Sequence, residues 1–112
     1  MAERYRSYEE FWPFYVAQHR NPANRGLHFV GTTLVLGCAL LAIWNPWFLA
    51  AAPVAGYGFA WVGHLFFEHN RPATFTHPVW SLRGDFRMYR LVLLGRMRPE
   101  LERARLLFPS GA

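Results

Sequence analysis

The chain of 112 residues suffices for one domain and not for two. Only 17% of it is charged, 18% is aromatic, and the net charge is +5 with all twelve basic residues arginine. One cysteine, Cys38, excludes an internal disulfide framework, and the arginines flank an apolar stretch, which points to an anionic membrane surface and not to nucleic acid. Residues 1–25 mix acidic, aromatic and basic positions and do not read as a cleavable signal peptide.

Residues 3–20 read as an amphipathic helix carrying Glu3, Arg4, Arg6, Glu9 and Glu10 off or beside its apolar face. Tyr5, Tyr8, Phe11, Trp12, Tyr15 and Val16 recur at helical spacing and make that face aromatic. Pro13 marks a kink or a fresh start. The expected role is an interfacial helix that lies on the bilayer or caps a bundle. Asn21 is placed to cap the next helix and Pro22 to be its first residue. That helix runs to about Trp44, roughly 34 Å long and enough to cross a hydrocarbon core. Gly26, Gly31 and Gly37 offer it a small-residue face for close approach of another helix.

No Asp, Glu, Lys or Arg lies between Gly26 and Phe67. The Asn45-Pro46 breaker divides this stretch, and Trp44 and Trp47 flank the break as an aromatic belt would. The return helix covers about residues 47–69, irregular around Pro53, Gly56 and Gly58. The expected fold is all-α: a single integral membrane domain over residues 1–112, built on a hairpin of spans at about 23–44 and 47–69. The hairpin turn is uncharged and the arginines lie on the flanks, so both termini are expected on the cytoplasmic side. Residues 73–84 read as a loop. Asp85 is then placed to cap a helix from Phe86 to Leu94, too short to span and expected to be re-entrant, interfacial or packed on the hairpin. Pro99 is expected to open a last, charged helix, Glu100–Phe108, as a solvated or membrane-surface tail without chemistry.

The candidate chemistry lies in the polar residues beside the apolar core. All five histidines, His19, His28, His64, His69 and His77, fall in the middle of the chain. Neutral imidazole is a common ligand for iron, zinc and copper. Pro46 is midway between His28 and His64, so a hairpin folded there returns both to one depth. His19 precedes a turn that brings it back towards His28. His64 and Glu68 are four apart, on one face of an α-helix, so Glu68 is either a further ligand or a partner that orients His64. His69 lies about 140° around an ideal helix from His64 and shares its site only if the helix ends there. The alternative is that these are boundary residues of a non-catalytic scaffold or assembly partner. No phosphate loop, nucleophile elbow or CxxC pair is present.

Three motifs carry a family resemblance: Tyr15-x-x-x-His19-x-x-Pro22-x-Asn24-x-x-x-His28-x-x-Gly31, Gly63-His64-x-x-x-Glu68-x-Asn70-x-Pro72-Ala73, and Pro78-x-Trp80-Ser81-Leu82-x-x-Asp85-Phe86-x-Met88. Over roughly residues 11–90 the chain resembles a small membrane family whose fungal member is an iron(II)-dependent 2-hydroxy fatty acid dioxygenase of fatty acid α-oxidation. The third motif resembles its bacterial branch. The resemblance implies a non-haem iron dioxygenase of lipid metabolism in a bacterial inner membrane. It would hold Fe(II) through His19, His28, His64 and Glu68, with Asn24 and Asn70 as hydrogen-bonding supports. Its partners would be a fatty acyl substrate, O2 and membrane lipid, with Arg71 or Arg83 pairing the substrate carboxylate and His77 supporting the site. The acyl chain would run among Phe29, Leu34, Phe59 and Phe66. Whether one chain or a homo-oligomer completes the site stays open, and a two-iron hydroxylase or desaturase is disfavoured by the absence of close-set histidine pairs.

Overall fold

Ser7 opens the first helix: its hydroxyl accepts from the Glu10 backbone N–H at 3.2 Å, a hydrogen bond typical of a helix start. The computed structural model describes residues 5–109, so Glu3 and Arg4 of the expected first helix lie outside it. Across the described residues the chain is all-helical. Helix α1 spans Tyr8–Ala17 and continues through the buried Pro13. Its aromatic face is the protein's core: Tyr8, Phe11, Trp12, Tyr15, Val16 and Ala17 are buried together. The expectation of a helix lying on a surface therefore changes. Two later helices cover the face of α1, so burial there yields core packing energy.

Asn21 caps helix α2, Pro22–Leu41, through its side-chain oxygen on the Ala23 N–H at 2.8 Å, with Pro22 as the first residue. The helix stops at Leu41, short of Trp44, because residues 42–47 form the turn. Helix α3, Phe48–Val62, runs on without a break into a π-helical turn, Gly63–Glu68. His69 ends it with φ 60°, in the left-handed region. Helices α2 and α3 form the hairpin, the largest helix pair in the fold. Of the three glycines expected to permit close approach only Gly31 does so: a Cβ there would sit 3.0 Å from the Phe59 Cβ. Gly26 and Gly37 face open space, and α3 supplies Gly56, against Val35, instead.

Among the described residues one helix, Phe48–Glu68, is long and apolar enough to cross a membrane, and only 11% of its most apolar window is buried. The expected second span, α2, does not reach that standard, since Asn24, Arg25, His28, Thr32 and Thr33 dilute it. Large apolar side chains are nevertheless exposed on both arms, and Trp44 and Trp47 at the turn are 74% and 80% exposed.

The chain after the hairpin departs most from expectation. Residues 73–84 are not a loop. A short 3-10 turn, Ala73–Phe75, leads into helix α4, Pro78–Leu93, with Pro78 in its first turn. Asp85 thus sits in mid-helix and caps nothing. Helix α5 runs Met97–Leu107 and is not a detached tail: Met97 and Ala104 are buried, and the Trp12 indole N–H donates to Glu100 at 2.6 Å. Helix α4 approaches α1 at Gly84, where a Cβ would fall 2.9 Å from the Tyr15 ring. Gly84→Ala is expected to lower stability by about 1–3 kcal/mol through overpacking. Thermal unfolding in detergent measures this, and an unchanged midpoint would refute the close approach.

Candidate metal centre

The hairpin and α1 bring three histidines together. His19 follows α1, His28 lies two turns into α2, and His64 sits in the π-helical turn. Their exposures are 1%, 6% and 1%. The rings are 4.6 Å apart for His19 to His28, 4.6 Å for His19 to His64 and 4.9 Å for His28 to His64, each pair edge to face.

The backbone fixes which nitrogen each ring offers. His19 Nδ1 lies 2.6 Å from the Tyr15 carbonyl and His28 Nδ1 lies 2.9 Å from the Asn24 carbonyl. Carbonyls only accept, so both Nδ1 atoms carry protons. His64 Nδ1 lies 2.6 Å from Asn70 Oδ1. The Asn70 amide N–H donates to the Gln18 carbonyl at 3.1 Å, which orients its oxygen towards His64. All three neutral rings therefore present a bare Nε2. His19 Nε2 and His28 Nε2 lie 3.3 Å apart. Two facing lone pairs at that distance repel unless a cation lies between them. A bridging proton is disfavoured: burial holds His19 well below the usual histidine range, and the His28 and His64 rings push the same way. The spacing suits two ligands of one ion at a metal–nitrogen distance of about 2.0–2.1 Å. The three ligand atoms lie within 4.8 Å of one another, so the group can hold a metal ion.

A cavity of about 280 Å³ opens from these nitrogens. Its polar end holds the histidines with Thr74, Ser81 and Asp85. Its apolar end runs between the hairpin arms past Val35, Ala52, Pro53, Gly56 and Ala60, with Leu82 and Phe86 of α4 on one side. The site is thus polar at the histidines and mostly apolar along the hairpin, where Thr32 and Tyr57 are the polar exceptions.

Residues 5–97 match the profile of a family described as 2-hydroxy-palmitic acid dioxygenase Mpo1-like. The chain belongs to the Mpo1-like family. No curated protein and no solved structure matches it.

In this Mpo1-like chain Glu68 stands apart from the three histidines and accepts from the Asn21 backbone N–H. The start of α2 explains this: the Asn21 backbone N–H donates to the Glu68 carboxylate, and the Asn21 side-chain amide donates to the neighbouring Phe67 carbonyl at 3.2 Å. His69 is exposed beyond the helix end. Arg71 is exposed, and its carbonyl accepts from Gln18 at 3.4 Å. The Arg83 guanidinium lies 3.9 Å from the centre of the Tyr8 ring. Neither arginine lines the cavity. His77 packs in the aromatic core, stacked on Trp80 and 4.9 Å from the Phe11 ring centre. Phe29, Leu34, Phe59 and Phe66 do not line the cavity either: Phe29 stacks on Tyr89, and Phe66 faces outward.

Tyr15 and Asp85 are the site residues that the sequence reading did not assign. The Tyr15 ring stacks on His19 at 4.1 Å, its carbonyl holds His19 Nδ1, and its hydroxyl donates to Asp85 Oδ1. Burial, with Asp85 beside it, pushes the Tyr15 hydroxyl well above the usual tyrosine range. Burial pushes Asp85 up to about 6, against the pull of the Tyr15 hydrogen bond. The available signals were the four-residue spacing of Tyr15 and His19, and the helical spacing of Ser81, Asp85 and Met88 behind Pro78.

Metal-free protein titrated with a divalent metal should take up about one ion per chain. His28→Ala and His64→Ala should abolish that uptake, and Asn70→Ala should weaken it roughly 10–100-fold. Glu68→Ala should keep its metal, and loss of metal there would bring Glu68 into the metal's ligand set.

The Asp85 shift makes a separate prediction. Its folded carboxyl holds a proton more tightly than the unfolded one, so stability falls as pH rises from 3.8 to about 6. The cost is at most roughly 3 kcal/mol, reduced by the solvent access of the cavity. Metal-free Asp85→Asn should therefore be more stable than the parent at pH 7.5 and equal to it near pH 3.5. Denaturant melts at the two pH values measure this, and parallel curves at both would refute it.

Proposed function

We propose that this chain is a membrane-embedded, iron(II)-dependent dioxygenase that shortens 2-hydroxy fatty acids by one carbon. The observation that carries the reading is the cavity, whose polar end is three bare imidazole nitrogens and whose apolar end follows the hairpin. That form suits an amphiphilic acid with its head at the histidines. The family description names a 2-hydroxy acid of this kind. Neutral nitrogen donors suit iron(II), which is expected to supply the redox chemistry with dioxygen.

One 2-hydroxy acid and one O2 balance as an acid one carbon shorter, carbon dioxide and water, so no further reductant is needed. The chain's own parts in this are positional. Tyr15, Asn24 and Asn70 fix the three rings in one tautomer. The apolar arm holds the acyl chain and excludes water from the reacting end. No Arg among the described residues lines the cavity, so the metal and the neutral polar lining are expected to take the substrate carboxylate. The activity would reside at an inner membrane, with α2 and α3 both spanning and the arginine-bearing ends in the cytoplasm. Apolar side chains exposed on both arms, Leu36 and Leu40 on α2 and Val54 on α3, support that placement.

Protein extracted in detergent without oxygen and loaded with iron should convert 2-hydroxypalmitate to pentadecanoate, consuming one O2 per turnover. His64→Ala should lose both iron and product. A parent that binds no iron, or binds it without turnover of any 2-hydroxy acid, would leave a non-catalytic membrane protein as the better account. Ala52→Leu should fill the apolar arm and shift the preference to shorter acids with the iron content unchanged. An unaltered chain-length profile would place the acyl chain elsewhere. Carbonate washing should leave the chain in the membrane, and its release would refute the spanning hairpin.

A further inference from the structure

We propose that Asp85 is the specificity-determining residue that accepts a hydrogen bond from the ligand's 2-hydroxyl group; this rests on the dioxygenase reading above. Among the described residues Asp85 is the only carboxylate lining the cavity, and no Lys or Arg accompanies it there. The Tyr15 hydroxyl occupies Oδ1. No hydrogen bond or ion pair from the described residues reaches Oδ2. One oxygen is therefore anchored and the other can accept.

The anchor ties Asp85 to the metal site. Tyr15 is stacked on His19 and holds its Nδ1 through the backbone, so the carboxylate is one phenol ring away from the triad. Gly84, next to Asp85, leaves the room that this ring needs. Asp85 is thus held in the wall of the cavity that the three histidines also line.

Charge explains why a carboxylate is tolerated at an acid-binding site. A divalent ion on three neutral imidazoles carries two positive charges. One ligand carboxylate and one Asp85 carboxylate neutralise it in a cavity walled mostly by apolar side chains. A hydroxyl on C2, adjacent to the ligand carboxylate, can donate to Oδ2. An unsubstituted acid has no such donor and leaves Oδ2 unpaired beside a like charge, which is costly away from water. Sites built to bond a hydroxyl reject the analogue that lacks it far better than apolar pockets sort by size.

The test uses zinc-loaded protein in detergent micelles, so that binding is read without turnover. Calorimetry compares 2-hydroxypalmitate with palmitate, and the ratio of their dissociation constants largely cancels partitioning into micelles. The parent should bind the hydroxy acid at least tenfold more tightly. Asp85→Ala should reduce that ratio to about twofold or less, with palmitate bound at least as tightly as by the parent and zinc content unchanged. Asp85→Asn keeps the shape and an acceptor for Tyr15 but presents a donor to the cavity. Its ratio should fall below the parent's, because a neutral amide bonds a hydroxyl more weakly than a carboxylate does, and retained zinc confirms an intact triad. A parent ratio that survives in the zinc-retaining Ala variant overturns the role of Asp85 alone, since the metal would then read the hydroxyl by itself. Equal binding of the two acids by the parent also overturns that role. A parent that binds neither acid overturns the dioxygenase reading with it.

Discussion

The site depends on where three imidazole protons reside. Each Nδ1 is committed to a fixed oxygen, two from the backbone one helical turn earlier and one from an oriented amide. Commitment on that side leaves a bare Nε2 on the other. Because the rings are buried and neighbours of one another, the repulsion between their lone pairs remains as a standing demand for a cation. The fold's work is to hold that arrangement against its own preference to spread.

Two different parts of the molecule supply that restraint. The hairpin carries His28 and His64 and the apolar arm of the cavity, but it buries few large side chains of its own. The aromatic core lies outside the hairpin, around α1, where Phe11, Trp12, Tyr15 and Val16 are packed under α4 and α5. His19 and Asp85 come from that side. The centre thus lies at the seam between a helix pair whose apolar side chains are largely exposed and a core that holds itself together by burial.

The hairpin was legible because charge and breaker residues mark it: no charge from Gly26 to Phe67, one Asn-Pro break, and Asn21-Pro22 at the start of α2. Equal spacing of His28 and His64 about Pro46 foresaw their meeting, and their rings are 4.9 Å apart. What failed to show was local geometry that only packing creates. The π-helical turn has no mark in the sequence beyond Gly63, where a Cβ would fall on the Asn24 side chain, and nothing in the spacing foretold that the Asn21 N–H would donate to Glu68. Helix α4 hid because Ser81 and Gly84 resemble loop residues until Thr74 is placed beside Ser81 and Tyr15 against Gly84. The second span divides the two views, since α2 is uncharged after Arg25 yet too rich in small and polar residues to reach the hydropathy of α3.

The hydrogen bond from Trp12 to Glu100 joins residues 88 positions apart, and the one from Tyr15 to Asp85 joins residues 70 apart. Both clasp the segment before the hairpin to the segment after it. A clasp of this kind imposes parity: two segments in contact lie on the same side of a bilayer, so the chain between them crosses an even number of times. The apolar α3 cannot cross alone. If it enters the membrane, α2 enters with it, taking Thr32, Thr33 and Cys38 into lipid on the strength of a tryptophan and a glutamate near opposite ends of the chain.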